Sequence, residues 1–221
     1  MKAVIVGASG MIGHQVATIA AREKLYSSIV APSRRKIGLP ETIENPVVDF
    51  ENLESNAGHS AIWKADHYFC CIGTTIKVAG SQAAFRKVDY DIAVNTARLA
   101  RQGGASKAFI VSALGADKNS GIFYNRVKGE MEEAIAGIGF QETWIFRPSL
   151  LTGPRKDARP GEVIGQIFGS VFSPLFVGGI KKYKPIPGET VARALLCAAF
   201  LTRPGVNIVE SDQIQELGKA G

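Results

Sequence analysis

Two groups of residues in this chain have types and spacings that could do chemistry. Tyr124 and Lys128 stand four apart in FYNRVKGEMEEAI, a strongly helical stretch, and that spacing puts both side chains on one helix face. A phenol with its ordinary pKa of about 10 is a poor proton donor or acceptor at neutral pH. A neighbouring ammonium favours the phenolate and lowers that value, so the tyrosine can serve as general acid or base. The lysine can also hold a ribose, and the hydroxyl of Ser112, further upstream, could bond the same substrate oxygen. The other reading of Tyr124 and Lys128 is a structural i,i+4 contact.

The second group is GASGMIG, that is Gly7, Ala8, Ser9, Gly10, Met11, Ile12 and Gly13. It follows the apolar run Ala3-Val4-Ile5-Val6 and leads into the helical pattern GHQVATIAAREK. Gly7 allows a tight turn, Gly10 lets backbone approach a phosphate, and Gly13 lets the helix sit close to the strand. The helix N-terminus then offers unpaired N–H groups and a positive dipole end to an anion. The strand–turn–helix context marks a dinucleotide site rather than a merely structural turn.

The elements that must position these groups follow from hydrophobic periodicity. Strands are expected near Ala3–Val6, Ser28–Ala31, Val47–Asp49, Tyr68–Ile72, Ala108–Ser112, Thr143–Phe146 and Asn207–Val209. Helices are expected near Gly13–Lys24, Ala83–Gln102, Phe123–Ala136, Gly161–Val171 and Glu189–Leu201. The alternation reads as an α/β fold with a doubly wound, mostly parallel sheet, the first six strands ordered 3-2-1-4-5-6. A ligand would lie along the strands' carboxyl ends.

That rule singles out further residues by position. Asp49, after the third strand, could accept a hydrogen bond from an adenine amino group, or it caps a turn. Ile72, Gly73 and Thr74 follow the fourth strand and should border the cofactor ribose. Ser112 ends the fifth strand. Arg147, Pro148 and Ser149 end the sixth, near where a nicotinamide would lie. The second strand ends in Pro32-Ser33-Arg34-Arg35-Lys36, and no carboxylate appears until Glu41. An acid there would suit the ribose hydroxyls of NAD, whereas Ser33, Arg34 and Arg35 suit a 2′-phosphate, so NADP(H) is the expected cofactor. A solvated basic loop is the alternative.

Length and composition are compatible with this reading. A chain of 221 residues is enough for one α/β domain, 1–221, with residues of about 1–150 as cofactor-binding core. Residues of about 151–221 would form a small substrate or lid portion. With 46% apolar and 21% charged residues, the composition is that of an ordinary soluble protein. The first strand leaves no room for a signal peptide, glycines and Pro174 interrupt the apolar stretch 164–180, and three cysteines make no disulfide framework. A cytoplasmic location with no membrane partner is expected. His14, His59 and His67 lack metal-type spacing, so no metal is expected. The net charge of +6 argues mildly for an anionic ligand. Arg34-Arg35-Lys36 and Lys181-Lys182-Tyr183-Lys184 lack the interleaved aromatics of a nucleic-acid platform, so no nucleic acid is expected.

GASGMIG, Tyr124-x-x-x-Lys128 and Arg147-Pro148 together resemble the short-chain dehydrogenase/reductase superfamily. CCIGTTIKVAGSQAAFRKVDYD, SALGADKNSGIFYNRVKGEMEEAI and IFRPSLLTGPR are similar to its atypical branch, that of the Tat-interacting protein and its bacterial relatives. The resemblance covers nearly the whole chain. It implies a Rossmann-type domain, NADP(H) binding and a Ser/Tyr/Lys site carried onto Ser112, Tyr124 and Lys128. Many members complete a proton relay with an asparagine after the fourth strand, and Asp89 or Asn95 lies in that region here.

Substrate selection is expected in the last third. Ile164, Ile167, Phe168, Val171 and Phe172 recur at helical spacing, as core, lid, substrate wall or homodimer face. Arg155 and Arg159 could meet an acidic substrate group or are plain surface arginines. The leading expectation is an NADPH-dependent oxidoreductase acting on a small molecule with a carbonyl or alcohol. The alternative is an NADP(H)-sensing regulator that signals through a protein partner.

Overall fold

The structure is a computed structural model, and it describes residues 1–53, 61–153 and 184–220. Its main sheet is parallel throughout and has seven strands. In chain order these are β1 (Lys2–Val6), β2 (Ser28–Val30), β3 (Ile43–Glu44), β4 (His67–Cys70), β5 (Lys107–Val111), β6 (Glu142–Arg147) and, after two short strands described below, β9 (Gly205–Glu210). Their spatial order is β3-β2-β1-β4-β5-β6-β9. The order reverses between β1 and β4, which opens a crevice at their carboxyl ends.

Alternating side chains feed two cores. Ile5, Phe69, Phe109 and Phe146 point to one face, under α1 (Met11–Arg22) and α6 (Gly188–Ala199). Val4, Tyr68, Ile110 and Ile145 point to the other, under α4 (Ala93–Gln102) and α5 (Phe123–Ala136). Each such fully buried side chain contributes about 1.5–3 kcal/mol of transfer free energy. The last helix, α7 (Ser211–Ala220), packs on α6. A separate pair, β7 (Leu151–Thr152) with β8 (Ile186–Pro187), lies beside the start of α1, where Gly188 leaves room for the Met11 thioether.

Two sequence expectations change. The third strand is Ile43–Glu44 rather than Val47–Asp49, and Val47 makes only an isolated bridge to Ser33. Pro46 has no N–H to give the ladder, and the Asn45 amide stands in for it, donating to Ala31 O at 2.6 Å and Ser33 Oγ at 2.8 Å, before backbone bonds resume from Ser33 N to Pro46 O and from Val48 N to Ser33 O. The expected long helix 83–102 contains a π-helical stretch. It begins as α3 (Gln82–Arg86), widens over Lys87–Ile92 and resumes as α4; a short α2 (Ile76–Ala79) precedes it. The expected order of the first six strands holds, and the seventh, expected near Asn207–Val209, is β9, which pairs with β6. The expected helix Gly161–Val171, the apolar residues around it, Arg155, Arg159 and Lys181-Lys182-Tyr183 lie outside the described residues.

Candidate functional site

The three motif glycines have three separate steric reasons. Gly7 has φ +89°, and a Cβ there would stand 2.5 Å from the Cys71 backbone, so the turn after β1 presses on the end of β4. A Cβ on Gly13 would stand 2.4 Å from Gly7 O, which seats α1 directly on that turn. Gly10 differs: among the described residues, the only atom within 4 Å of an added Cβ is Gly7 O, at 3.3 Å. Gly10 is the N-cap of α1, no side chain caps the helix, and its first turn holds no acid. The free N–H groups and the dipole therefore face the crevice, as an anion requires. Ser9 and Gly10 are exposed, Met11 is partly buried, and Ala8 and Ile12 are buried beneath them.

At the end of β2, Arg34 and Arg35 are exposed, and no ion pair forms between them and a described residue. Ser33 sits differently. Its hydroxyl donates to Arg35 O and accepts from Asn45 Nδ2, while Asn45 Oδ1 accepts from Ile37 N at 3.0 Å. Ser33 and Asn45 thus shape the loop that carries the arginines. Asp49 is exposed and turns its carboxylate to Glu51 N at 2.9 Å and Asn52 Nδ2 at 2.7 Å. The Asn52 bond, then the Glu51 amide, hold its pKa below the usual carboxylate range. That is turn-capping geometry.

Beyond β4, the sequence motif meets a residue it did not assign. Lys128 Nζ lies 2.7 Å from Asp89 Oδ1, with side-chain exposures of 4% and 0%. Asp89 comes from the π-helical stretch, and its other oxygen accepts the Thr74 N–H at 2.9 Å. A Cβ on Gly73 would lie 3.7 Å from Asp89 Oδ1 and 3.9 Å from Lys128 Nζ, so the pair borders the loop Ile72-Gly73-Thr74. Of the two residues that lie in the region of the superfamily's relay asparagine, Asn95 is exposed and accepts from Arg98, and Asp89 is the one beside the lysine. Burial disfavours the ammonium, but Asp89 and, after it, Tyr124 together outweigh burial and hold the Lys128 pKa above the usual lysine range.

Tyr124, one turn before Lys128, packs its ring on Phe85 with centroids 5.4 Å apart. Burial pushes its phenol pKa up; Lys128 pulls it down and Asp89 pushes it up again, for a net rise. The pull of Lys128 has the expected direction, and burial of the phenol outweighs it. Ser112 is 5% exposed at the end of β5, its N–H donates to Phe146 O at 2.8 Å, and its Oγ has no hydrogen-bond partner among the described residues. A buried orphan hydroxyl costs free energy unless a ligand satisfies it.

The residues after β6 are occupied. Arg147 grips Glu132 of α5 with two bonds, at 3.0 and 2.6 Å, and Glu210 of β9 at 3.3 Å. The Glu132 bond is the main reason its pKa lies above the usual range. Ser149 Oγ donates to Lys184 O at 2.6 Å, and its N–H donates to Ser211 Oγ at 3.2 Å. Pro148 is buried between them, and its carbonyl accepts from Leu114 N. Ser149 and Arg147 therefore brace the sheet. The described residues contain no cluster of three or more metal-ligating side chains and no helix long and apolar enough to cross a membrane.

No family model matches the chain. Protein HTATIP2 of Rattus norvegicus is 34% identical over 222 residues, covering 97% of this chain and 88% of that protein. The mitochondrial protein FMP52 of Candida albicans is 30% identical over 223 residues, covering 99% and 95%. Among solved structures, UDP-glucose 4-epimerase of Thermotoga maritima with UDP-glucose superposes with a TM-score of 0.70 at 15% identity, covering 100% of this chain and 82% of that one. MoeE5 in complex with UDP-glucose and NAD gives 0.69 at 14% identity, covering 100% and 81%. These structures share the Rossmann-like fold. The expected cytoplasmic location is corrected by the relatives, since several FMP52 proteins are named mitochondrial.

Proposed function

Because the chain belongs to the family of HTATIP2 and FMP52, in the atypical short-chain dehydrogenase/reductase branch, we propose that it binds NADP(H) and reduces a carbonyl of a small molecule. The observation that carries this reading is the meeting of three elements at the sheet's switch point. The open N-terminus of α1, the loop Ile72-Gly73-Thr74 and the ammonium of Lys128 all border one crevice. The residues fit a dinucleotide: a Cβ at Gly10 would intrude on open space at an uncapped helix end, and the orphaned Ser112 hydroxyl awaits an oxygen.

In this reading Gly7 to Gly13 hold the pyrophosphate, and Arg34 and Arg35 hold the 2′-phosphate on the loop that Ser33 and Asn45 fix. Ile72, Gly73 and Thr74 border the ribose, which Lys128 holds. Asp49 and the Pro148-Ser149 backbone line the two ends of the nucleotide. Ser112 donates to the carbonyl oxygen and polarises it, and Tyr124 supplies the proton. The bound nicotinamide would supply the two electrons of reduction. Residues 1–150 carry the nucleotide and residues 151–221 the substrate side, with β9 returning to complete the sheet.

The test follows NADPH fluorescence and absorbance together, for wild type and Tyr124→Phe, against aldehydes, ketones and quinones. Consumption by wild type alone, with equal NADPH affinity in both proteins, is the expected result. Undiminished turnover by Tyr124→Phe refutes the role of Tyr124. Saturable NADPH binding with no consumption across the panel favours a nucleotide-sensing protein instead. Arg34→Ala with Arg35→Ala should lower affinity for NADPH about tenfold or more and leave NADH nearly unchanged.

A further inference from the structure

We infer that the outer edge of β9 is a self-association surface: two copies of this chain pair antiparallel along it, about a twofold axis at Asn207, and continue one sheet into the other. The two outer strands of the sheet differ in character. β3 is two residues long and Pro46 follows it closely, features that blunt an edge. β9 has six residues in unbroken register with β6, from Gly205 opposite Glu142 to Glu210 opposite Arg147. Its sequence GVNIVE holds no proline and no basic residue, and among the described residues no strand pairs with its far side. Val206 and Ile208 are 52% and 46% exposed, while Asn207 and Val209 are buried. An unguarded apolar edge of this length is a template for another strand.

Backbone alternation fixes the register. The Gly205 N–H donates to Gln141 O at 2.9 Å, so Gly205, Asn207 and Val209 turn their backbone groups to β6. Val206, Ile208 and Glu210 turn theirs outward, and the Glu210 N–H is already taken by Gln213 Oε1 at 3.0 Å. The N–H and C=O groups of Val206 and Ile208 are left for a partner. With the axis at Asn207, Val206 stands opposite Ile208 of the second copy and exchanges both backbone bonds with it, and the reverse holds by symmetry. An axis at Val206 would set Ile208 against Pro204, which has no N–H. An axis at Ile208 would set Val206 against the capped Glu210. The β-branched side chains of Val206 and Ile208 then meet across the axis on one face of the joined sheet.

Charge favours a second copy in this orientation. Arg203, exposed just before β9, makes no ion pair with a described residue. Antiparallel pairing brings it to the acidic end of the second copy's strand, at Glu210 and Asp212, on both sides of the axis. A parallel copy would set Arg203 against Arg203. Six residues span about 20 Å along the edge. With the flank of α7 beside it, that edge offers about 500 Å² on each copy, or about 1,000 Å² in all, the lower end for a specific interface. A reversible dimer with a Kd of about ten to a hundred micromolar is therefore expected.

Sedimentation velocity from about 1 to 300 μM brackets that Kd, and wild type should pass from monomer to dimer across the range. Ile208→Lys changes an exposed side chain and should stay monomeric throughout, with unchanged circular dichroism and melting temperature. Arg203→Glu should weaken the dimer about tenfold. Disulfide capture reads the register, because a hydrogen-bonded antiparallel pair holds its Cα atoms about 5.5 Å apart, within disulfide reach. Val206→Cys mixed with Ile208→Cys should crosslink on mild oxidation, and either variant alone should not. The cysteine variants decide even if Ile208→Lys fails to fold. A wild type that stays monomeric at the highest concentration overturns the inference and leaves the edge to an extended segment of a different protein. So does a dimer that survives Ile208→Lys, or crosslinking by the single variants but not by their mixture.

Discussion

Alanine at Gly13 and alanine at Gly10 separate what the fold needs from what the ligand needs. At Gly13 the new Cβ would stand 2.4 Å from Gly7 O, 1.0 Å inside an ordinary contact of 3.4 Å. The obstacle is backbone, and Gly7 is itself pressed against Cys71, so neither side can yield cheaply. Overpacking of this kind costs about 3 kcal/mol, and the better helix propensity of alanine returns at most about 1, for a net loss of about 2 kcal/mol. At Gly10 the one contact is 3.3 Å, and φ of −86° suits any residue. Loss of a favourable N-cap there costs about 0.5 kcal/mol. Urea unfolding and NADPH fluorescence titration, run on both variants, read the two quantities. Gly13→Ala should lose stability and binding together, whereas Gly10→Ala should stay folded and lose NADPH affinity at least about tenfold. A Gly10→Ala protein with wild-type affinity, or one as destabilised as Gly13→Ala, would refute the steric assignment.

Acid should unfold the protein partly through His67. Burial first, then Lys107, lowers its pKa to about 4, and its Nδ1 shares a 2.8 Å hydrogen bond with Tyr26 Oη. Between about pH 6.5 and pH 4 the unfolded chain binds a proton that the folded protein refuses. Stability is thus intact above that range and falls by up to about 3 kcal/mol across it, and His67→Gln should flatten this limb in urea titrations at several pH values. Glu132→Gln should cost about 2–3 kcal/mol, because it breaks the two-bond grip on Arg147, and should leave NADPH affinity unchanged; an equal loss of binding would tie Arg147 to the site after all. Asn45→Ala should cost about 1–3 kcal/mol and reduce the preference for NADPH over NADH, as measured by paired titrations, since it releases the loop bearing Arg34 and Arg35.

How far the sequence could be read depended on how local each signal was. Helix α5 begins and ends where its pattern predicts, at Phe123 and Ala136, and the glycine turn sits between β1 and α1 as its spacing requires. Both are decided by a dozen neighbouring residues. Asp89 is another matter. It sits 39 residues before Lys128, and nothing local distinguishes it from Asn95; the π-helical stretch and the packing of α5 choose between them. Arg147 was legible as a strand-end residue, but its partners Glu132 and Glu210 come from two distant elements. The third strand lies a few residues before its expected place because Pro46 interrupts the ladder and an Asn45 side chain stands in for the missing N–H, and hydrophobic pattern carries no record of that exchange.

The widened turn at Lys87–Ile92 also acts as a phase corrector. Twelve residues separate Phe85 from Ala97, both fully buried. At about 100° per residue, an uninterrupted α-helix would carry the second position about 120° around the axis from the first. A π turn absorbs about one residue, which brings the offset back to about 20°. One helix can then present Phe85 to Tyr124 and Ala97 to the sheet without being rotated or bent between them. A single-residue deletion anywhere in the stretch would remove that correction. The chain would keep either the face that meets Tyr124 or the face that meets the sheet in phase, and the other half would be turned about 100° out of place.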